Sequence, residues 1–505
     1  MINIKMNLIS GKILFLFGFL LLSISGCVVG PDYHKPDVDT PDKYAYKDSI
    51  KIQDSINYSI KDSFAIATAD TAWWRLFNDP VLTELIQTGL RENADIKLAS
   101  ARVEQYLAYY GISRSAYYPD LNFNASSKSG KFSNAATNAN DNPFKSIFNL
   151  SLTSDWEIDL WGKIKRTNES ARADLLASEE SRQSIVLFIT SKIASSYIEI
   201  LTLKRQLNLT KLTLMSRDTA LVLYQLRYAK GDISLLDLAQ FESDYWYVKS
   251  QIPFFEKLIA EAENNLNVLL GKNPGIVRTG FFSDSVIVPV IPEGLPSQLL
   301  QRRPDIRYAE QVLISANANI GRVKAEYYPA ISLSGTLGVA SSDLSNLFDP
   351  LSQVWNIGGN LFAPLFNAGR TKNKVRVAES QKKQALISYV NTVQSSFRDV
   401  ENALADQTKT REQLGLLANR VDALQLYKDL ATMNFNEGTS NYFEVLDAER
   451  SLFDSQIYYE TTRGILLKSI VRIYSAFGGG WVTNASRQAN QPVNMNEVDD
   501  INQNK

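Results

Sequence analysis

The sequence predicts an α+β membrane protein in which each chain contributes four strands to a β-barrel that long α-helical hairpins continue. Three observations lead to this prediction. The chain begins with a lipoprotein-type leader, a unit of about two hundred residues is duplicated within it, and four short segments alternate strictly between apolar and polar residues.

The leader, residues 1–26, resembles a bacterial lipoprotein signal peptide and is left out of the fold. Lys5 and Lys12 precede or flank an apolar run at 13–24, and the motif Leu-Ser-Ile-Ser-Gly-Cys ends at Cys27. This motif resembles a lipobox, so we expect Cys27 to be acylated, with palmitate for example, and to become the mature N-terminus. The alternative is a short transmembrane anchor, but the apolar run is shorter than the roughly 20 residues that span a bilayer.

The composition restricts the possible chemistry. Lys+Arg total 53 against Asp+Glu 54, so there is no electrostatic footprint for nucleic acid. The chain has one cysteine and one histidine, His34. These counts exclude a disulfide, a histidine-based triad and a multi-histidine metal site in the mature protein. No cofactor is expected, and an enzyme of this sequence would have to use carboxylate chemistry.

The duplication is visible as a stable offset between landmarks. The segment from Ala108 to Pro119 aligns with residues 318–329 at an offset of 210. At an offset of 207, Gly162 aligns with Gly369 and Gly231 with Gly438. Chance similarity would not hold this register through several landmarks, so two related units are predicted.

Each unit contains two segments that alternate with period two, the pattern of a β-strand with one apolar face. Their apolar positions are Leu121, Phe123, Ala125; Phe148, Leu150, Leu152, Trp156, Ile158, Leu160; Ile331, Leu333, Leu337, Val339; and Trp355, Ile357, Leu361, Leu365.

Helices are predicted on both sides of these strands. A helical stretch precedes them at 82–114 and at 304–326. No proline occurs at 167–229 or 371–437, so each region predicts one helix of some sixty residues, about 90 Å long. Gly231 and Gly438 are expected to end these helices as C′ glycines. Return helices are predicted at 234–270 and 441–477.

Four strands cannot close a barrel, and an open sheet edge in lipid leaves backbone groups unpaired. Several copies must therefore pool their strands. The alternative, a soluble sheet on a core, shows the same alternation. The lipid signal, together with the expectation that no segment after the leader is a transmembrane helix, favours the membrane.

The predicted domain organisation follows from these elements. It comprises a signal peptide (1–26), an acylated tether (27–70), the first repeat (71–275), a linker (276–296), the second repeat (297–480) and a polar tail (481–505). Residues 46–63 and the tail have no assigned role.

At this point the chain resembles the TolC-type outer-membrane efflux proteins, in particular the lipidated branch typified by OprM and NodT. The resemblance rests on five motifs in order: Trp73–Pro80 (WWRLFNDP), Trp156–Lys163 (WEIDLWGK), Arg302–Arg307 (RRPDIR), Tyr328–Gly335 (YPAISLSG) and Leu361–Arg370 (LFAPLFNAGR). It implies a lipid-anchored homotrimer in the outer membrane with twelve barrel strands and a tunnel across the periplasm. It also implies a passive exit duct that binds a periplasmic adaptor and serves an inner-membrane pump.

The resemblance also implies a gate at the hairpin tips. Glu444 and Asp447 match the acidic positions that form rings around the periplasmic opening, and three copies of each would favour cations. Glu444 has an alternative role, because Asn441 and Glu444 have the spacing of a capping box, as do Ser234 and Asp237 in the first unit.

Other tip residues are singled out for contact or closure. Tyr442 and Phe443 would either plug the tunnel or pack in the hairpin core. Gly231, Asp232, Gly438 and Thr439 are expected to meet the adaptor.

Two other functions remain open from the residues. A periplasmic glycosidase would need an acid pair in a cleft, and a non-channel helical scaffold would have no use for the four strands. The exported substrate, the pump, and the resting state of the tip cannot be deduced from the sequence.

Overall fold

The computed structural model describes residues 28–41, 44–45, 73–131, 144–280 and 302–479. The longer helices and strands run in the order α1 (Pro80–Glu92), α2 (Ala94–Ser115), β1 (Asp120–Lys131), β2 (Phe144–Ile158), α3 (Lys163–Lys230), α4 (Leu235–Leu269), α5 (Pro304–Ala325), β3 (Ala330–Ser341), β4 (Gln353–Phe362), α6 (Arg370–Asn436) and α7 (Tyr442–Ala476). Both halves therefore show a helical segment, two strands, a long helix and a return helix, which confirms the predicted duplication.

The long helices are continuous, as the absence of proline predicts. Helices α3 and α6 have 68 and 67 residues, and the return helices α4 and α7 have 35 each. Gly231 and Gly438 follow the long helices with φ angles of +82° and +75°, a conformation that glycine adopts without steric cost.

The helix predicted at 82–114 is wrong in one respect, because it is two helices. Asn93 between them has an extended backbone, and its side-chain oxygen accepts hydrogen bonds from the amides of Asp95 and Ile96. Its side-chain amide donates to the Leu269 carbonyl at 2.8 Å. A side chain that caps a new helix start and bonds a distant carbonyl outweighs the local helical pattern.

The four strands form one antiparallel sheet in the order β1-β2-β3-β4. Its register places Phe123 opposite Leu152, Leu152 opposite Leu337, and Leu337 opposite Trp355. Opposed residues share a face, so the predicted apolar positions form one continuous apolar face, and many of them are exposed. Leu160 and Leu365, predicted as strand residues, lie beyond the ends of β2 and β4.

The chain divides into two compact units. Unit 1 comprises the N-terminal segment to Asp37 and residues 102–179 and 308–389, and unit 2 comprises residues 38–101, 180–307 and 390–505. Unit 1 contains the sheet and a small cluster of Ile320, Val323, Val375 and Ala378.

The core of unit 2 explains two of the sequence motifs. Trp73 stacks on Tyr474 at 5.4 Å, and the Asp79 carboxylate caps α1 by accepting from the Val81 amide at 2.8 Å. The Tyr197 hydroxyl donates to the same carboxylate at 2.7 Å. In the second motif, Arg303 bonds the Ala476 carbonyl at 3.1 Å and ion-pairs with residues 305 and 399.

Part of the predicted tether is docked on unit 1. The Arg166 side chain, 4% exposed, forms ion pairs of 2.7 Å with both Asp32 and Glu169. Gly30 packs so closely that an added Cβ would lie 2.3 Å from the Gly321 backbone. Residues 28–35 are therefore held by specific contacts.

Among the described helices, α3 is the one long and apolar enough to cross a membrane, with a window of mean hydropathy 1.5. The expectation that no segment after the leader could be a transmembrane helix is therefore wrong when judged by length and composition alone. Half of the window is buried inside the protein, and Ile189, Ile193 and Ile198 belong to the core of unit 2. Burial in the core accounts for the apolar composition.

Candidate functional site

The two hairpin tips in unit 2 are built alike. Asp232 donates its amide to the Arg227 carbonyl and Thr439 donates to Asn434, both at 2.9 Å, across the glycine turns. These six-to-one bonds are those of a Schellman motif. All four residues expected to meet an adaptor, Gly231, Asp232, Gly438 and Thr439, are exposed.

An aromatic cluster joins the two hairpins below the turns. Tyr224 of α3 lies 4.8 Å from Phe241 and 4.4 Å from Tyr442, between ring centroids. Phe435 packs on Tyr442 at 5.5 Å. Burial raises the pKa of Tyr224 to about 12. The structure therefore places Tyr442 in the hairpin core, one of its two predicted alternatives, whereas Phe443 is 59% exposed.

The two candidate gate acids are exposed on α7. Their three-residue spacing puts Glu444 and Asp447 on one face of the helix. The Tyr427 hydroxyl of α6 donates to Asp447 at 3.4 Å. Slight burial and the nearby charges of Asp447 and Glu444 raise the pKa of Tyr427. The acids are thus a solvated pair beside a tyrosine that stays protonated.

Helix capping explains one predicted acid and not the other. Ser234 and Asp237 form the complete capping box that their spacing predicts. Asn441 begins α7 but its side chain makes no capping hydrogen bond, so the capping-box alternative for Glu444 is wrong.

A buried ionic group near the tips was not predicted from the sequence. Arg217 of α3 and Asp244 of α4 form an ion pair with side chains only 4% and 2% exposed. Arg450 of α7 approaches the same carboxylate at 3.2 Å and is 51% exposed. Asp244 lies among Phe241, Tyr245 and Val248 on an apolar helix face. A carboxylate at an apolar position of a helix is the sequence signal from which a buried ion pair could have been predicted.

A cavity of about 240 Å³ adjoins this group, lined by Arg217, Lys428 and Glu449 among others. Burial raises the pKa of Glu449, and the charges of Arg217 and Lys428 partly offset the increase.

This shift has a consequence for the pH dependence of tip stability. A carboxyl with a raised folded-state pKa stabilises the folded state when protonated, so stability rises as pH falls through that pKa and declines as pH increases. We expect the protection factors of α7 amides, which are corrected for the pH dependence of intrinsic exchange, to rise as pH falls through the raised pKa of Glu449, and Glu449→Gln to flatten this trend. An unchanged slope in the variant would contradict it.

Cys27, the expected acylation site, lies outside the described residues. The Val29 amide donates to the Trp161 carbonyl at 3.0 Å, and Val28 packs against Gly162. Trp161 stacks on Tyr328 at 4.8 Å. The two residues after Cys27 are therefore fixed close to the end of β2.

Fold and tip geometry together define a protein with two duplicated helical hairpins and a four-stranded sheet whose apolar face is exposed. A family model described as "Outer membrane efflux protein" matches residues 85–272 and 295–479. The chain belongs to the outer membrane efflux protein family, which confirms the resemblance, the outer-membrane location and the efflux role expected from the sequence.

Individual relatives match over nearly the whole chain. The solvent efflux pump outer membrane protein SrpC of Pseudomonas putida is 32% identical over 467 residues, 92% of this chain and 97% of SrpC. The probable outer membrane lipoprotein SilC of Salmonella typhimurium is 31% identical over 475 residues, 92% of this chain and 100% of SilC. A crystal structure of CusC, studied for transmembrane channel formation, superposes with a TM-score of 0.79 at 28% identity over 90% of this chain and 100% of that chain.

Proposed function

We propose that three copies of this chain assemble into a passive exit duct that receives solutes from an inner-membrane pump through a periplasmic adaptor. The observation that carries the proposal is the four-stranded sheet, whose apolar face is exposed and whose outer strands are β1 and β4. In lipid such a sheet requires neighbours to pair with both outer strands. Pairing β1 of one copy with β4 of the next closes a barrel, and the number three follows from the TolC-type resemblance.

Helix α5 indicates how the copies pack. Ser315 on one side shares a 2.9 Å hydrogen bond with Ser170 of α3. A Cβ at Gly321 would lie 2.9 Å from the Arg166 side chain of α3. On the other side, Ile320 clusters with Val375 of α6. Within unit 1, α5 thus lies between two long helices.

Helix α2 is the repeat counterpart of α5, and its Leu107 and Gly111 are exposed at the positions where α5 buries Asn317 and Gly321. Its exposed apolar side chains are Tyr106, Leu107, Tyr109 and Ile112. Helix α6 in turn exposes Val377 and Ile387, and Gly111 has nothing within 4 Å of an added Cβ. By the repeat register, α2 of one copy is expected to pack on α6 of the next copy as α5 packs on α3.

The gate and the adaptor surface are proposed at the tips. Three copies of Glu444 and Asp447 would form two acidic rings, and the exposure of both acids supports this role. Leu235, Leu236 and Phe443 are exposed beside the turns and offer the apolar contacts that an interface core needs.

Lipid attachment at Cys27 is part of the proposal. The docked residues after Cys27 would hold the acyl chains beside the sheet, and the lipoprotein description of SilC is consistent with this anchor.

The competing functions fit less well. A glycosidase needs two carboxyl groups facing one another across a cleft, whereas Glu444 and Asp447 lie side by side on an exposed helix face. A scaffold gains nothing from a sheet with an exposed apolar face. We therefore propose transport without catalysis, and the substrate stays open because efflux relatives of similar identity need not share one.

The test is single-channel recording of the purified, acylated protein in planar bilayers. Wild type is expected to give small, cation-selective currents, and Asp447→Asn is expected to reduce the selectivity by about twofold or more, because three charges leave one ring. Asp232→Asn, which changes an acid at the turn, serves as the matched control.

The outcomes separate the parts of the proposal. If conductance appears but Asp447→Asn changes nothing, the duct stands and Asp447 is a helix-surface residue. If no current appears even with both Glu444 and Asp447 neutralised, the channel proposal fails and the scaffold gains support.

A further inference from the structure

The start of α6 carries a concentrated positive charge. Arg370, Lys372, Lys374 and Arg376 fall within its first seven residues, and all four are exposed. The first turn contains no acidic residue. Cations at a helix N-terminus oppose the positive end of the helix dipole, so this arrangement is unfavourable unless an anion binds.

These cations are largely unpaired within the described part of the chain. Lys374 pairs with Glu326 at 2.7 Å, whereas Arg370, Lys372 and Arg376 form no ion pair with another described residue. The repeat counterpart, the start of α3, differs. There Lys163 pairs with Glu157 at 2.9 Å, and the buried Arg166 pairs with Asp32 and Glu169. The unpaired charge is therefore specific to the second repeat.

The surface around this charge is apolar. Leu361, on the apolar face at the end of β4, is exposed, and in the connection to α6, Leu365 and Phe366 are 97% and 90% exposed. Exposed apolar side chains thus continue beyond the end of the sheet to within four residues of Arg370. Apolar side chains followed by cations are the order met on leaving a bilayer core for its headgroups.

We infer that Arg370, Lys372 and Arg376 bind the phosphate groups of anionic phospholipids in the periplasmic leaflet of the outer membrane. The opposite charges of patch and headgroup, and the continuity of the patch with the lipid-facing sheet, together favour this partner. The inference rests on the membrane location of the sheet and does not depend on the proposed gate or adaptor.

The test is lipid binding to the detergent-solubilised, acylated protein, measured by native mass spectrometry with phosphatidylglycerol and phosphatidylcholine. Wild type is expected to bind phosphatidylglycerol at least tenfold more tightly. The triple variant R370Q/K372Q/R376Q is expected to lose most of this preference, since each basic residue contributes about fivefold near an anionic surface.

Two further variants control for charge and position. R370K/R376K keeps the charge and is expected to keep the preference. K272Q/K409Q/R420Q removes three exposed cations of unit 2 and is expected to bind phosphatidylglycerol like wild type.

Three results would overturn the inference. An equal loss of the preference for phosphatidylglycerol in K272Q/K409Q/R420Q would mean that net charge alone governs lipid binding. Displacement of phosphatidylglycerol by inorganic phosphate would indicate a free-anion site. Dissociation of the oligomer in R370Q/K372Q/R376Q, with lipid preference retained, would assign the patch to contacts between copies.

Discussion

Replacing Asp244 by alanine is expected to destabilise the hairpin tips by about 3–5 kcal/mol, the cost of leaving a buried charge without its partner. Arg217 is 4% exposed, so its guanidinium is poorly hydrated once the carboxylate is lost. Its guanidinium also carries a pKa that burial lowers, which shows how unfavourable this position is for an unpaired cation. The loss should appear as faster hydrogen exchange in α3 and α4 around these two residues.

The second partner of Asp244 gives the matched comparison. Arg450 is 51% exposed, and its removal leaves Arg217 paired with Asp244. Arg450→Ala is therefore expected to cost less than about 1 kcal/mol. A similar loss in both single variants would contradict the asymmetry derived from burial.

A double replacement separates the ion pair from the packing. Arg217→Met together with Asp244→Leu removes both buried charges and keeps most of the volume, and such replacements are often neutral or stabilising. We expect the double variant to restore protection against exchange close to the wild-type level. Continued fast exchange would mean that hydrogen-bond geometry, rather than charge pairing, holds the tips.

The strands and long helices could be predicted because each rests on a local pattern. The apolar positions of four separate segments fall on one face of the sheet, for example Phe123, Leu152, Leu337 and Trp355 in adjacent register. A period of two fixes the face of each strand, and a one-residue slip would reverse it. The glycines that end α3 and α6 were predictable for a similar reason, since a turn with positive φ favours glycine.

Contacts between distant segments could not be predicted in this way. The break at Asn93 depends on the Leu269 carbonyl, and the docking of the N-terminal segment depends on Arg166, which lies 134 positions from Asp32. In the candidate site, too, features that follow from local spacing could be predicted and contacts between distant segments could not. The local spacing of Glu444 and Asp447 places them together on one face of α7, and their gate role stays a prediction, whereas the pairing of Arg217 with Asp244 requires knowing which faces of α3 and α4 meet.

Gly111→Trp is expected to abolish assembly of the proposed trimer. In unit 1, Gly321 lies so close to α3 that an added Cβ would approach the Arg166 side chain to 2.9 Å. If copies pack as the repeats do, Gly111 holds the same position at the α2–α6 contact between copies. An indole side chain there would separate the two helices. The copies would then lose their contact, and a stable assembly needs an interface that buries well above about 1,000 Å². Native mass spectrometry in detergent should show loss of the trimer, and planar bilayers should show no channels.

The same position allows assembly to be distinguished from misfolding. Within one copy, a Cβ at Gly111 meets nothing within 4 Å, so the protomer should keep its wild-type helix content by circular dichroism. Gly111→Ala should assemble better than Gly111→Trp, because steric exclusion grows with side-chain volume. Gly415→Trp changes another glycine with open space around it and is expected to remain trimeric. A trimeric Gly111→Trp would rule out the repeat-like contact between copies, while the requirement for closure of the sheet would remain.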